Sequence, residues 1–336
     1  MRVAMFSTKP YDRRSFEERN GRGHHDFAWL EPRLSLETAA LADGFDAVCL
    51  FVNDDANARV IARLAQGGVR LIALRCAGFN NVDLAAAEAA GIAVVRVPAY
   101  SPHAVAEFTI GLMLSLIRRI HRAYQRTREN NFALEGLLGF DLHDKTMGVI
   151  GTGRIGAIVA RILRAGFGCT VLATDIKREP ALEAIGIVYV PRNELLRAAD
   201  VITLHAPLTP QTRHLLNARS FGDLKEGAIV VNTSRGALID SEAAIDALKE
   251  GRLGGLAIDV YEQEADLFFE DLSNEIIKDD VLQRLMMFPN VLVTGHQAFF
   301  TREALAAIAE TTLANLDAFE RGETLVNAVT IAGVKA

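Results

Sequence analysis

Short apolar runs alternate with alanine-rich helical segments along most of the chain. This alternation is typical of a parallel sheet covered by helices on both faces, because strands buried on both sides need apolar residues throughout. In the first hundred residues, helices are predicted at 56–66 and 82–90. The strands predicted in the same part of the chain cover residues 3–7, 47–52, 71–74 and 93–97.

The alternation resumes after residue 145 and predicts a second parallel sheet. One long helix is predicted from Pro102 to about Asn130, between the two sets of strands, and another over residues 302–321. The most apolar part of the first helix, residues 108–117, is too short to span a bilayer and predicts a buried helix. The second set of strands is predicted at 146–151, 169–174, 187–190, 201–204, 228–232, 256–260 and 291–294.

Length, charge and cysteine content narrow the class of protein. A chain of 336 residues suits two domains, and a net charge of −6 argues against a nucleic-acid partner. The first apolar run is too brief for a signal peptide, and no membrane association is expected. Cys49, Cys76 and Cys169 are widely separated and form neither a disulfide framework nor a zinc spacing. We therefore expect a reducing cytoplasm and predict no metal site.

A glycine-rich segment, Gly151-Thr-Gly153-Arg-Ile-Gly156, lies between a predicted strand and a predicted helix. In that context Gly151 permits a tight turn, and Gly153 lets the backbone approach a pyrophosphate. Gly156 lets the helix pack closely on the sheet, and the helix N-terminus favours the phosphate charge. The segment therefore predicts a dinucleotide site, and the alternative is a structural turn without a ligand.

An acidic residue supports the dinucleotide interpretation. Asp175 lies 19 positions after Gly156, at the end of the next predicted strand. A carboxylate there accepts hydrogen bonds from an adenosine ribose and repels a 2′-phosphate, which favours NAD over NADP. Lys177 and Arg178 follow closely and could weaken that discrimination.

Three further residues that can do chemistry follow strand ends of the second sheet. His296 comes after the last strand, Arg235 lies in Asn232-Thr-Ser-Arg-Gly236, and Glu264 follows the strand at 256–260. A histidine can exchange a proton near neutral pH, a guanidinium can grip a carboxylate, and a carboxylate can hold an imidazolium. His205 also follows a strand and could lie near a cofactor. Of the other histidines, His24 and His25 are expected at the surface, and His103, His121, His143 and His214 are expected to lack acidic partners.

On these residues the chain resembles the D-isomer-specific 2-hydroxyacid dehydrogenases over essentially its whole length. The irregular segment from Asp266 to Asp280 resembles the D-lactate branch of that family in particular. The sequence Gln211-Thr-Arg213 is uncommon for the family and weakens the assignment of Thr212 as a cofactor contact. Besides the glycine segment, the resemblance rests on residues 75–83, 97–107, 205–209, 232–236, 259–264 and 295–299.

The resemblance implies a role for each matching position. Arg235 would bind the substrate carboxylate and polarise the carbonyl, His296 would be the acid/base, and Glu264 would keep His296 protonated and oriented. The other substrate contacts implied are the backbone N–H groups around Ala77, Gly78 and Phe79, and the side chains of Tyr100 and Phe299, which would close over the substrate. The cofactor contacts implied are Gly151, Gly153, Arg154, Ile155, Gly156, Asp175, Ala206, Pro207, Thr212, Thr233, Ser234, Arg235 and Asp259.

The resemblance also implies the architecture and the reaction. The fold class is α/β, with two doubly wound parallel-sheet domains. A Rossmann NAD-binding domain at 101–297 would be inserted in a flavodoxin-like substrate domain formed by 1–100 and 298–336. The implied reaction is the reversible NADH-dependent reduction of pyruvate to D-lactate, without a metal, in a homo-oligomer. A bulkier 2-keto acid as substrate, or an NAD-sensing scaffold on the same fold, remains as an alternative.

Overall fold

The computed structural model describes residues 1–21, 23–264 and 267–331. The chain divides into two compact units, the first formed by Met1–Ser101 and the residues from Phe300 onward, and the second by Pro102–Phe299. Asp266, where the predicted D-lactate-type insertion begins, and residues 332–336 of the predicted substrate domain lie outside the described residues.

The first unit is built on a five-stranded parallel sheet. Its strands are β1 (Arg2–Met5), β2 (Asp26–Trp29), β3 (Ala47–Leu50), β4 (Leu71–Leu74) and β5 (Ala93–Arg96). The helices that precede residue 101 are α1 (Pro10–Arg19), α2 (Ala58–Gln66) and α3 (Leu84–Ala89). The strand order β2-β1-β3-β4-β5 is the flavodoxin-like order that the resemblance implies. Strand β2 and helix α1 lie in a polar part of the chain, where the hydrophobic pattern gave no prediction.

The second unit contains a seven-stranded parallel sheet. Its strands are β6 (Thr146–Ile150), β7 (Thr170–Thr174), β8 (Val188–Tyr189), β9 (Val201–Leu204), β10 (Ala228–Asn232), β11 (Leu253–Ile258) and β12 (Val291–Val293). Its helices are α4 (Pro102–Ile117), α5 (Ile120–Arg128), α6 (Arg154–Arg161), α7 (Pro180–Glu183), α8 (Arg192–Ala198), α9 (Ala218–Gly222), α10 (Ser241–Lys249) and α11 (Asp280–Met287). The order β12-β11-β10-β9-β6-β7-β8 reverses direction between β6 and β9, as in a Rossmann fold. The prediction of two doubly wound parallel sheets is confirmed.

Helices cover both faces of this sheet. Val230 and Val231 are neighbours in β10 and point to opposite faces, since side chains alternate along a strand. Val230 packs in a core with residues of α8, α9, α10 and α11, whereas Val231 packs in another with residues of α4 and α6. Continuous apolar runs were therefore the right signal for these strands.

The single helix predicted from Pro102 to about Asn130 is wrong in one respect. The chain forms two helices, α4 and α5, separated at Arg119, whose φ of +55° lies in the left-handed region. A non-glycine residue in that conformation cannot continue a right-handed helix. Apolar periodicity does not report such a break, because the residues on both sides remain helical.

The last helix, α12 (Arg302–Glu320), belongs to the first unit. Its Leu305 carbonyl accepts a hydrogen bond from Ser15 of α1, and its Asn315 side chain donates to the carbonyl of Arg96 in β5. The chain thus returns to its first unit after completing the second. Within the described ranges, no helix is both long enough and apolar enough to cross a membrane.

Candidate active site

Strand register brings three functional segments to one edge of the second sheet. Asn232 of β10 pairs with Ile258 of β11, and Ile258 pairs with Val293 of β12. Because the strands are parallel, the segments that leave them start side by side at the carboxyl edge, where ligands bind in open α/β sheets. Arg235, Glu264 and His296 lie in these three segments.

His296 and Glu264 form a direct pair. Nδ1 of His296 lies 2.8 Å from Oε1 of Glu264, and their side chains are 15% and 21% exposed. The other carboxylate oxygen, Oε2, accepts a hydrogen bond from the backbone N–H of Tyr261 at 2.9 Å. The Glu264 carboxylate is therefore fixed from two sides, and it places the hydrogen of a neutral His296 on Nδ1. Nε2 remains as the nitrogen that can exchange a proton with a substrate.

The turn that carries His296 is strained and is held by Asp259. His296 has a φ of +53°, a conformation that a non-glycine residue adopts only when its surroundings impose it. Its N–H donates to the backbone carbonyl of Asp259 at 2.7 Å. The Asp259 carboxylate in turn accepts from the N–H groups of Gln297 and Ala298, at 2.9 and 2.8 Å.

Asp259 is fully buried, with an exposed fraction of 0%. The hydroxyl of Thr294 also donates to its carboxylate, at 2.5 Å. Burial raises the pKa of Asp259, and its hydrogen bonds oppose that rise because they stabilise the charged form. The sequence indicated Asp259 only as a cofactor contact, and its function as the anchor of the His296 turn was missed. An acidic residue directly after an apolar strand was the available signal.

Arg235 leaves β10 in a turn that packs on the Glu264 segment. A Cβ on the next residue, Gly236, would lie 2.0 Å from the carbonyl carbon of Tyr261, so the two backbones are in direct contact there. The side chain of Asn232 donates to the carbonyl of Arg235 at 2.9 Å. The guanidinium is half-buried and donates to the carbonyl of Ser234 at 2.6 Å, which leaves further donors for an anion.

The glycine segment has the shape of a dinucleotide cradle. Gly151 has a φ of +91°, and a Cβ at Gly156 would lie 1.9 Å from the carbonyl oxygen of Gly151. Gly153 faces open space, with nothing within 4 Å of its Cβ position. A cleft of about 770 Å³ adjoins it, bounded by Arg154 and Asp175 among others. The residues present therefore fit a dinucleotide whose backbone approaches Gly153 closely.

Asp175 lies at the far side of this cleft. Its Oδ2 accepts the backbone N–H of Thr152 at 2.5 Å, and its Oδ1 accepts that of Lys177 at 3.3 Å. Ile176, fully exposed, and Arg178 also line the cleft. The carboxylate is thus held at the end of β7, where the sequence predicted it.

The other predicted cofactor residues bond to one another near the ends of β9 and β10. The Thr212 hydroxyl donates to the carbonyl of Pro207, and that of Ser234 donates to the carbonyl of Ala206. The hydroxyl of Thr233 is buried, 2.7 Å from that of Thr109 in α4. Ile155, half-buried, follows the exposed Arg154 at the start of α6.

The predicted substrate residues fall in both units. Ala77, Gly78 and Phe79 are half-buried in the loop after β4, and Tyr100 is half-buried after β5. Arg96 shapes the loop, since its guanidinium donates to the carbonyl of Ala77 at 2.9 Å and lies over the Phe79 ring at 5.1 Å. Phe299 is buried at the end of the second unit, with an exposed fraction of 6%.

Three expectations about histidines are wrong. His143 has an acidic neighbour, since its Nε2 lies 3.5 Å from Oδ2 of Asp144. His25 is buried rather than at the surface, because the side chain of Asn20 draws its backbone inward. His214 has an acidic partner, since its Nε2 lies 2.9 Å from Glu262, which is distant in sequence. His205 is half-buried beneath the glycine turn, and desolvation of its ring lowers its pKa to about 4, so it is neutral at pH 7.

Comparisons with known proteins identify relatives along the whole chain. Residues 110–298 match the family described as "D-isomer specific 2-hydroxyacid dehydrogenase, NAD binding domain". The chain is 54% identical to a D-lactate dehydrogenase of Escherichia coli, over 97% of this chain and 99% of that protein. It is 56% identical to a 2-hydroxyacid dehydrogenase homolog of Schizosaccharomyces pombe, over 95% and 96% of the two chains. Its structure matches that of a pyruvate reductase of Chlamydomonas reinhardtii with a TM-score of 0.90 at 46% identity, covering 97% and 98% of the two chains.

The family match covers more than half of the chain, and these relatives match it from end to end. The chain therefore belongs to the D-isomer specific 2-hydroxyacid dehydrogenases, and its second unit contains the NAD-binding domain of that family.

Proposed function

We propose that the protein catalyses the reversible NADH-dependent reduction of pyruvate to D-lactate. The observation that carries the proposal is the His296–Glu264 pair at 2.8 Å, held beside the Arg235 turn at the carboxyl edge of the sheet. The choice of pyruvate is supported by the names of the bacterial and algal relatives, a D-lactate dehydrogenase and a pyruvate reductase.

Arg235 is the group we assign to the substrate carboxylate. Its planar guanidinium presents several N–H donors in a fork that matches a carboxylate, and only one of them is used by Ser234. Two hydrogen bonds from one side chain fix both the position and the plane of a 2-keto acid. The same positive charge polarises the neighbouring carbonyl, so no metal is required for that step.

His296 is the group we assign to proton transfer. In reduction, its Nε2 gives a proton to the carbonyl oxygen, and in the reverse reaction it takes the proton back. The Glu264 carboxylate at Nδ1 orients the ring so that Nε2 is the nitrogen available to the substrate. When bound, the nicotinamide coenzyme supplies or accepts the hydride. Acid catalysis by a positioned side chain contributes about 10²- to 10⁴-fold in rate.

The remaining substrate contacts are assigned to residues of both units. Ala77, Gly78 and Phe79 would offer backbone N–H groups to the carboxylate, in a loop that Arg96 holds in place. Tyr100 and Phe299 would cover the methyl end of the substrate. We accordingly assign coenzyme binding to the second unit, and substrate contacts to residues of each unit.

NAD rather than NADP is the coenzyme we expect the cleft to prefer. The Asp175 carboxylate is held by the N–H groups of Thr152 and Lys177, and it would repel a 2′-phosphate. Lys177 and Arg178 line the same cleft, so their charges reduce that repulsion without removing it. The other coenzyme residues that we assign are the glycines of the cradle with Arg154, Ile155, Ala206, Pro207, Thr212, Thr233, Ser234, Arg235 and Asp259.

We infer a cytoplasmic location from the cysteines. Cys49, Cys76 and Cys169 are all buried, and none of them forms a disulfide bond. Burial raises the pKa of Cys49 to about 12 and that of Cys169 to about 11, so both stay protonated and unreactive. Thiols in this state are characteristic of proteins kept in a reducing compartment.

We also propose that the protein is a homo-oligomer. Most apolar side chains of helix α4 are buried in the core of its own unit and leave little apolar surface to a second copy. The support comes instead from the segment after α5, where Phe132, Leu134 and Leu138 are 72%, 82% and 91% exposed. Large apolar side chains grouped at the surface mark an interaction site.

The first test measures substrate choice. NADH oxidation should be fastest with pyruvate and should yield D-lactate by chiral analysis, with slower turnover of 2-ketoisocaproate, phenylpyruvate, glyoxylate and hydroxypyruvate. A preference for a bulky 2-keto acid would contradict pyruvate as the substrate but agree with the proposed mechanism. Tight NADH binding without turnover of any 2-keto acid would contradict the proposed enzymatic activity and favour an NAD-sensing scaffold.

The second test addresses the proton. The substitution His296→Gln should lower kcat for pyruvate by about 10²- to 10⁴-fold while NADH affinity stays near that of the parent. Because reduction needs the imidazolium and oxidation needs the neutral ring, reduction should decline as pH rises and oxidation should increase. His143→Gln, at an exposed histidine beside Asp144, serves as the control. Normal turnover in His296→Gln, or identical pH profiles in the two directions, would refute the assignment.

The third test separates the two glycines of the cradle. Gly153→Ala should keep the parent Tm, because its Cβ meets nothing, yet weaken NADH binding by about tenfold, or about 1.4 kcal/mol. Gly156→Ala should lower both the Tm and the affinity for NADH, because its Cβ would overlap the Gly151 carbonyl. Gly222→Ala should change neither the Tm nor the affinity, because its Cβ also meets no atom within 4 Å. Parent-like NADH binding in Gly153→Ala would place the pyrophosphate elsewhere.

The fourth test measures assembly by sedimentation velocity. The parent should sediment as a dimer or tetramer, and the double variant Phe132→Asp/Leu138→Asp should sediment as a smaller species, because charges replace the exposed apolar side chains. Ile276→Asp, at a position that is 87% exposed elsewhere in the second unit, should leave the assembly unchanged. A monomeric parent, or an unchanged double variant, would contradict the proposed interface.

A further inference from the structure

Four potential metal ligands converge in the first unit. They are His24, His25, Asp317 and Glu320, and their ligand atoms all lie within 4.8 Å of one another. Oδ1 of Asp317 lies 2.9 Å from Nε2 of His25 and 3.3 Å from Nε2 of His24. The latter nitrogen is also 3.0 Å from Oε2 of Glu320. The four residues include none of those assigned to the dehydrogenase reaction.

The loop that carries the two histidines is fixed before any ion binds. The side chain of Asn20 bonds to both the N–H and the carbonyl of His25, at 3.1 and 2.7 Å. The His25 side chain is only 1% exposed. The Met1 amino group lies 3.4 Å from its Nδ1, so Nε2 is the nitrogen that faces Asp317. A buried imidazole held in this way loses little conformational entropy when it becomes a ligand.

The two carboxylates come from successive turns of one helix. Asp317 and Glu320 are three positions apart on α12, which places them on the same face. Oε1 of Glu320 accepts from the Met1 amino group at 2.9 Å, so its Oε2 is the oxygen directed at His24. The helix thus presents one carboxylate oxygen from each residue to the two imidazoles.

The donor set and its spacing fit a divalent transition-metal ion. Zn²⁺ takes imidazole nitrogen and carboxylate oxygen in tetrahedral sites with bonds of about 2.0–2.2 Å, which puts neighbouring ligand atoms about 3.4 Å apart. Three of the six spacings, 2.9, 3.0 and 3.3 Å, are close to that value, and none exceeds 4.8 Å. Two neutral imidazoles and two carboxylates also balance the charge of a dication.

We propose that His24, His25, Asp317 and Glu320 form a binding site for Zn²⁺ or a similar divalent ion. The ion would join the loop before β2 to the C-terminal half of α12, two segments that are nearly 300 positions apart in sequence. Its role is structural, because the four side chains fill a tetrahedral coordination sphere and leave no position for a substrate. Spacing rules along the sequence do not detect such a site, since its two halves meet only in the fold.

Zinc titration of the chelator-treated full-length protein tests the site. Calorimetry should detect one Zn²⁺ ion bound per chain, and saturating Zn²⁺ should raise the Tm, because the ion binds the folded state. His24→Gln and Asp317→Asn should each weaken binding by at least about tenfold and abolish the rise in Tm. Both side chains are partly exposed, so the variants are expected to fold.

Two further variants serve as controls. His143→Gln removes another exposed histidine beside an aspartate and should bind Zn²⁺ like the parent. His296→Gln removes a close histidine–carboxylate pair of the second unit and should also bind like the parent. Absence of zinc binding would show that the cluster is an ion-pair network only. Loss of binding in His296→Gln, or equal affinity in the parent, His24→Gln and Asp317→Asn, would likewise overturn the proposal.

Discussion

Asp259 connects the three strand ends on which the candidate active site depends. Its N–H donates to the carbonyl of Asn232 at the end of β10, and its carbonyl accepts the N–H of His296 after β12. Its buried carboxylate also holds the backbone of the turn that contains His296. One residue at the end of β11 therefore links all three segments. The left-handed conformation of His296 persists because these bonds outweigh its strain.

The chemistry of the site then follows from two levels of structure. Parallel strand register brings the segments of Arg235, Glu264 and His296 to one edge of the sheet. The turns that follow the strands then set the positions of the side chains. The contact of Gly236 with Tyr261 sets the Arg235 segment against the Glu264 segment, and the Tyr261 N–H orients the Glu264 carboxylate. Proton transfer depends on these turns, because it requires donor–acceptor distances of about 3 Å.

Sequence patterns predicted most of the sheet and little of the local backbone. The bounds predicted for β4, β9 and β10 agree with the structure, since buried parallel strands are continuous apolar runs. The break at Arg119, the anchoring by Asp259 and the burial of His25 were missed. They depend on the hydrogen bonds of Asp259 to a segment distant in sequence, on those of Asn20 to His25, and on the backbone angle of Arg119. A hydrophobic pattern carries no information about any of these.

The single-turnover rate of pyruvate reduction in Asp259→Asn, at saturating NADH, tests the central claim most directly. The amide would present N–H donors where the carboxylate accepts from the turn, so His296 should shift from its position. We predict a rate about a hundredfold below that of the parent, in a protein that still folds and still reaches saturation with NADH, because a displacement of about 1 Å costs that much. A rate equal to that of the parent would contradict the claim that Asp259 positions the acid–base residue.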